Sequence, residues 1–345
     1  MIGSLNSSLR KAFKMKPIYN SVILLAFVFL LSSLCCNKKS ITESKGPVTF
    51  TVSPIEYDDI RKATPLGNLN PPDHTFPTNH IGFYLNGSDL VEVRAYADGK
   101  ITTVYSNTGG GDFRIEFKHT STFYSYLDHV ENLTDQIVEG EKVEAGDLIG
   151  YGNPATGAVD MGVVDYDTTR NFIVHARYHE FYLHCGNPYL YFSDEIRNAL
   201  LDKNPRTVEP RGGKIDFDID GTLSGNWFLE GTPLTSEAAS YIYSANQLAF
   251  VYDDYDPSII RITCGGTLAI APFDRRVVGN TPSPKDVNSS SGMVKYELSK
   301  PSPFHTPGIL LVEMLESRRI RVEVFPNKTK SEVTGFTGNA KIYIR

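Results

Sequence analysis

Apolar and polar side chains alternate along this chain in short runs, and Gly, Pro and Asp break the runs. Val91-Glu-Val-Arg-Ala95, Gly99-Lys-Ile-Thr-Thr-Val-Tyr105, Phe113-Arg-Ile-Glu-Phe-Lys-His119 and Phe123-Tyr-Ser-Tyr-Leu127 follow one another in this way. A two-residue period gives a pleated backbone one apolar face and leaves the helical period unfilled, so the runs predict half-buried antiparallel strands. The one clear helical stretch is Ser193–Leu201, with Ser193 placed to cap it and Glu195 in its first turn. Composition agrees: 19 Tyr and 19 Phe stand against one Trp, and aromatic residues suit pleated surfaces. A mainly β protein is predicted.

A stretch with two Pro and two Gly, Pro205–Gly213, divides this pattern. Residues 71–205 are expected to form a first, sheet-based domain, and 206–345 a second, all-β one. The second contains strand-like runs at Lys214–Asp220, Trp227–Glu230, Leu248–Tyr252, Ile259–Thr263, Thr267–Ala271, Val294–Leu298, Ile309–Met314, Ile320–Phe325 and Ala340–Ile344. Short strands in such number, with no helix between them, make a β-sandwich or a closed β-barrel. Trp227 is expected to plug its core.

The N-terminus has a different character. Arg10, Lys11, Lys14 and Lys16 precede an apolar run, Ser21–Leu34, which is long enough for a signal-peptide core and short of the roughly 20 residues that span a bilayer. Cys35 and Cys36 follow, then polar residues. Leu31-Ser-Ser-Leu-Cys-Cys36 resembles a relaxed lipobox, so residues 1–36 are read as a lipoprotein signal peptide, with Cys36 lipidated, and residues 37–70 as a tether. A plain secretory signal or an uncleaved anchor is the alternative. The lipoprotein reading implies a bacterial cell envelope location, lipid-anchored to a membrane. Without the leader, 30 bases face 40 acids, a charge of −10, which gives no general attraction to nucleic acid. Cys185 and Cys264 remain; they form either a disulfide, which an exported location permits, or two separate buried thiols.

Five segments between His80 and Gly162 occur in a telling order. They are His80-Ile-Gly82-Phe-Tyr84; Val93-Arg-Ala95-Tyr-Ala-Asp98-Gly99-Lys-Ile101; Ile115-Glu-Phe-Lys-His119 with Tyr124-Ser-Tyr126-Leu127; Val138-Glu-Gly140-Glu-Lys-Val143-Glu-Ala-Gly146-Asp-Leu-Ile149-Gly150; and Thr156-Gly157. This order resembles the lysostaphin or LytM-type peptidoglycan endopeptidases, with their H-x-G-x-D, V-x-A-x-x-D-G-x-V, Y-x-H-L, V-x-x-G-x-x-V-x-x-G-x-x-I-G and T-G before H-x-H. The resemblance implies a β-sheet domain of the duplicated hybrid motif kind. It also implies a zinc ion held by a histidine, an aspartate and a second histidine, with further histidines orienting water and stabilising an oxyanion.

The ligand positions depart from that pattern. His80 matches the first, but Tyr84 stands at the second, and a phenol with a pKa near 10 is a poor ligand at neutral pH. Tyr126 replaces the histidine of Y-x-H-L, and the H-x-H strand reads Ala158-Val-Asp160-Met-Gly162. His80, Tyr84 and Asp160 are therefore read as vestigial metal positions, with no catalytic residue, no metal and no cofactor expected. His80, Tyr84, Tyr126 and Asp160 are expected to line a groove that binds peptidoglycan or an envelope protein partner. One alternative is an active zinc endopeptidase drawing on His80, Asp160 and one of the later histidines, His175, His179 or His184. Another gives the function to the C-terminal β domain as a ligand-binding or adhesive module. His74, His119, His129, His175, His179 and His184 are otherwise read as surface or hydrogen-bonded histidines. Asp165 and Asp167 suit a solvated turn or an acid–base role.

Overall fold

The computed structural model describes residues 44–107, 110–268, 271–299 and 308–345, and Ser44–Arg345 form one packed unit. The segment expected to be a signal peptide and the lipidation expected at Cys36 lie outside the described residues. Ten strands come first: β1 (Ile60–Ala63), β2 (His80–Leu85), β3 (Val91–Arg94), β4 (Gly99–Ser106), β5 (Phe113–Lys118), β6 (Phe123–Val130), β7 (Lys142–Val143), β8 (Leu148–Gly152), β9 (Ala158–Asp165) and β10 (Cys185–Gly186). Their main sheet runs β1-β2-β9-β6-β5-β4-β7, with β10 also on β9, while β3 and β8 pair separately. The ladder is antiparallel throughout. The alternating sequence sends Ile115 and Phe117 of β5 and Val159, Met161 and Val163 of β9 into one core. A helix, α1 (Asp194–Asp202), follows close to the predicted span. Asp194 and Glu195 lie in its first turn, where carboxylates offset the exposed N–H groups, and Ile196 and Leu200 bury its inner face.

Of the two architectures open for the C-terminal region, the chain adopts the closed barrel. Strands β11 (Gly225–Leu229), β12 (Gln247–Tyr252), β13 (Ile260–Cys264), β14 (Phe273–Val278), β15 (Met293–Leu298), β16 (Gly308–Glu316), β17 (Arg319–Pro326) and β18 (Lys341–Ile344) follow one another around it, and β18 closes on β11. Trp227, Leu248, Phe250, Tyr296 and Tyr343 are fully buried and fill its interior. Among the described residues the barrel interior is thus filled by side chains. Lys214–Asp220 is not one of its strands. The carboxylates that gave this segment its alternation accept backbone N–H groups instead: Asp216 from Asn171 at 3.1 Å, and Asp218 from Ile173 at 3.0 Å and Asn226 at 2.8 Å. Thr267–Ala271 is not a strand over its described residues either; the ladder resumes at Phe273.

The sheet's hydrophobic core extends onto the outer face of the barrel, whose interior forms a second core. Alternation along β11 and β12 points Trp227, Leu248 and Phe250 inward and turns Phe228, Ala249 and Val251 outward against the first sheet's residues. Phe76 and Tyr178 meet the Phe228 ring with centroids 5.2 and 5.9 Å away, and the Arg177 guanidinium lies 4.8 Å above it. The Thr263 hydroxyl donates to the Thr75 carbonyl across the same seam. Residues 44–70, read as tether, are packed: Phe50, Ile55, Ile60 and Leu66 are buried, because each carries an apolar side chain into the core beside α1 and the sheet. Within this segment Phe50 forms an isolated parallel bridge with Phe192. Cys185 and Cys264 are separate buried thiols, so no disulfide joins them.

Packing across this seam predicts shared unfolding. Phe228→Ala should cost about 3–5 kcal/mol, and urea denaturation should show a single transition when followed by Trp227 fluorescence in the barrel and by far-ultraviolet dichroism over the whole chain. Two separated transitions would mean that the seam contributes little.

Candidate functional site

The chemistry gathers on the face of the sheet where β9 lies between β2 and β6. Register places Asp160 opposite Gly82 on one side and opposite Asp128 on the other. Gly82 is needed there, since a Cβ would fall 2.9 Å from Asp160 Oδ1. His80 begins β2, and its Nε2 lies 3.3 Å from Asp160 Oδ2. The His74 ring packs edge-on against His80, with centroids 5.1 Å apart.

A β-bulge brings in the third histidine. Phe113 pairs with Val130 and Ile115 with Leu127, so Asp128 and His129 together oppose Arg114. His129 adopts φ 62°, which is uncommon outside glycine. Its two ring nitrogens face carboxylates: Nδ1 lies 3.1 Å from Asp112 Oδ2 and Nε2 lies 3.7 Å from Asp160 Oδ2. Asp128 accepts from Asn107 Nδ2 at 2.6 Å and from the His129 N–H at 3.0 Å, and faces Arg114 Nη1 at 3.5 Å.

Burial sets the protonation states. It pulls His80 down to about 4, and His74 also to about 4, where the neighbouring His80 adds to the effect. Both are neutral imidazoles at pH 7. Burial pushes Asp160 up to about 7, with Asp128 adding and His129 opposing. For His129, burial is outweighed by the charges of Asp160, Asp128 and Asp112, and its pKa rises.

His80, Tyr84 and Asp160 lie on neighbouring positions of β2 and β9, with a phenol where the resemblance implies an aspartate. Burial and Asp160 raise the Tyr84 phenol further, so it keeps its proton; the Asp160 carboxylate is faced by the imidazoles of His80 and His129. Among the described residues, Asp112, Asp128 and His129 do bring one ligand atom each within 4.8 Å of one another. Asn107 and Arg114 already engage these carboxylates. Tyr126, expected to line the groove, is only 2% exposed but borders the larger of the two cavities on this face. Arg114 stacks 3.6 Å above its ring and Phe181 flanks it at 5.7 Å. Gly162 makes room for that ring, since a Cβ there would fall 2.2 Å from Tyr126 Cζ.

Cavities run along this face. One of about 640 Å³ is lined by His74, His80, Asp128, His129, Asp160 and, at its far end, Tyr241. A second of about 280 Å³ shares His74, His80, His129 and Asp160 and reaches Tyr84. His179 lines the larger cavity and caps the helical turn Glu180–Leu183. His175 lies in a separate short 3-10 turn, so the pair shares no helix face. His119 is held by the Asp98 carbonyl at 2.7 Å and Ser125 Oγ at 2.6 Å, and His184 by the Thr168 carbonyl at 2.7 Å. Asp165 is buried and accepts from Tyr191 Oη at 2.8 Å and from the Asp167 N–H at 3.0 Å, a turn-holding role. His74, Asp112, Arg114, Asp128 and His129 were not legible as a group, because an inserted residue brings Asp128 and His129 to Arg114.

No family model matches the chain, and no curated protein matches it. Among solved structures, part of the chain aligns with Helicobacter pylori Csd3 at 15% identity and a TM-score of 0.27, over 37% of this chain and 33% of that one. A zinc containing peptidase from Vibrio cholerae aligns at 18% identity and a TM-score of 0.27, over 36% of this chain and 38% of the peptidase. The catalytic domain of the antimicrobial peptidase lysostaphin from Staphylococcus simulans aligns at 18% identity and a TM-score of 0.27, over 32% of this chain and 84% of the domain. The chain thus spans little more than a third of the length of the first two proteins.

The buried groups predict a pH dependence. Between about pH 4 and pH 7 native Asp160 holds a proton that the unfolded chain has lost, so its contribution to stability falls as pH rises. His74 and His80 act in the opposite sense: from about pH 4 to 6.5 the unfolded imidazoles bind protons that the native ones refuse, so their contribution grows as pH rises. Asp160→Asn removes the first effect, and with it the charge that raises His129 and His74. The variant should be more stable than the parent above about pH 7 and equal to it near pH 3, as measured by urea denaturation across that range.

Proposed function

We propose that this protein is a cell-envelope lipoprotein whose groove around His80 and Asp160 binds peptidoglycan peptide, or a wall-enzyme partner, without cleaving it. The observation that carries the reading is the donor set. Of the three zinc-ligand positions that the resemblance calls for, the first holds a neutral imidazole beside the Asp160 carboxylate and the second holds a protonated phenol. The cavities remain, lined by hydrogen-bonding side chains and bordered by Phe181, Tyr182 and Tyr241. Polar groups among aromatic walls suit a peptide or sugar ligand.

A second reading, an active zinc endopeptidase with an altered site, is favoured by one distance: His129 Nε2 lies 3.7 Å from the same Asp160 oxygen that faces His80. One set of measurements separates the two. The protein, purified without chelators, should contain no stoichiometric zinc, release no dye from labelled sacculi, and bind soluble muropeptides in a calorimetric titration. Tyr84→Ala and His80→Ala should each weaken that binding by about tenfold, the scale of one lost polar contact. Stoichiometric zinc that disappears in His80→Ala, together with sacculus cleavage in the parent, would establish the endopeptidase instead.

A further inference from the structure

The groove continues past Tyr84 into a part that neither reading has used. A cavity of about 470 Å³ is lined by Arg61, Lys62, Tyr84, Asp202, Lys203, Asn204 and Pro205. Tyr84 is common to this cavity and to the one that holds His80 and Asp160. Its cations are gathered by a second β-bulge. Ile60 pairs with Leu85 and Lys62 with Tyr84, so Arg61 is the extra residue of β1 and both cations stand beside one tyrosine. Lys62 Nζ lies 4.3 Å and the Arg61 guanidinium 5.9 Å from the Tyr84 ring centroid. Lys203 reaches the same cavity from the end of α1, which is fixed by the Ala63 N–H donating to the Lys203 carbonyl at 3.0 Å.

No ion pair within 4.0 Å engages Arg61, Lys62 or Lys203 among the described residues. Asp202 in the cavity wall, the carbonyl end of α1, and Asp254 behind Lys62 oppose an incoming anion. Three unpaired cations around one concavity outweigh them, and Arg beside Lys is a donor set that suits a carboxylate or phosphate. At the other end of the groove acids predominate: Asp73, Asp128 and Asp160 line the larger cavity against Arg114 and His129. Tyr84 and His80 are four residues apart on β2, roughly 13 Å at about 3.3 Å per residue.

We propose that the Arg61–Lys62–Lys203 cavity is an anion subsite that anchors the terminal carboxylate of an extended peptide about four residues long, whose amino group reaches the Asp73–Asp128–Asp160 end. The proposal rests on the peptide-groove reading above and adds to it the orientation, length and charge of the ligand.

The probes are tetra-alanine with a free carboxylate, its C-terminal amide and inorganic phosphate, each titrated by NMR into the parent and into the Arg61→Gln/Lys62→Gln variant. Thermal melting first verifies that the variant folds. The free acid should bind the parent about tenfold or more tightly than the amide. In the variant that difference should vanish while the affinity for the amide stays the same. Equal binding of acid and amide by the parent overturns the subsite and leaves the peptide groove standing, as does failure of both tetrapeptides where muropeptides still bind. Failure of tetrapeptides and muropeptides alike overturns both readings. Phosphate binding more tightly than the free acid at Lys62 and Lys203 overturns the peptide source in favour of a phosphate ligand.

Discussion

The placement of β9 between β2 and β6 is the constraint from which the site follows. Antiparallel register sets Asp160 against Gly82 and against Asp128 at once, and a slip of one residue would turn the carboxylate to the opposite face. Two glycines secure the arrangement through size alone. Gly82 leaves space for Asp160, and Gly162 leaves space for the Tyr126 ring, which in turn supports Arg114. Arg114 then faces Asp128. The floor of the groove is thus a continuous set of contacts, from the His80 side of β2 to the Asp128 side of β6.

Burial makes this floor electrostatically unusual. His74 and His80 stay uncharged, Asp160 titrates near neutrality, and His129 is surrounded by three carboxylates. An ion or a ligand cation there would meet carboxylates already partly compensated by Arg114, Asn107 and His129. The aromatic excess of the sequence has a divided role. Tyr126 is a structural ring under a guanidinium, whereas Tyr84 stays half-buried at the meeting point of two cavities.

Much of the architecture could be read from the side-chain period. The strands between Val91 and Leu127 and the all-β character of the C-terminal region follow from alternation, and the helix after Ser193 from its acidic first turn, although the Ser193 side chain makes no capping hydrogen bond. Where alternation misled, another role explained it: the Asp residues of Lys214–Asp220 serve as acceptors for loop N–H groups. Barrel closure is a matter of strand order around a ring, which no local period encodes. The packing of residues 44–70 was hidden because isolated apolar residues such as Phe50 and Ile55 form no pattern, although each is buried. Of the site, His80, Tyr84 and Asp160 were visible through motif order. His129 was not, because its neighbour Asp128 shares its side of the strand only where the ladder slips.

Those slips have a consequence for how this surface can change. The cations at one end of the groove and the Asp128–His129 pair at the other each stand at a place where one strand carries a residue more than its partner. A point substitution can alter the charge at either end, but only the gain or loss of a whole residue can move a charge to the far side of the sheet. The polarity of the groove is therefore written in the length of two strands as much as in their composition, and related chains that differ there by a single deletion would present a differently charged face on an otherwise identical scaffold.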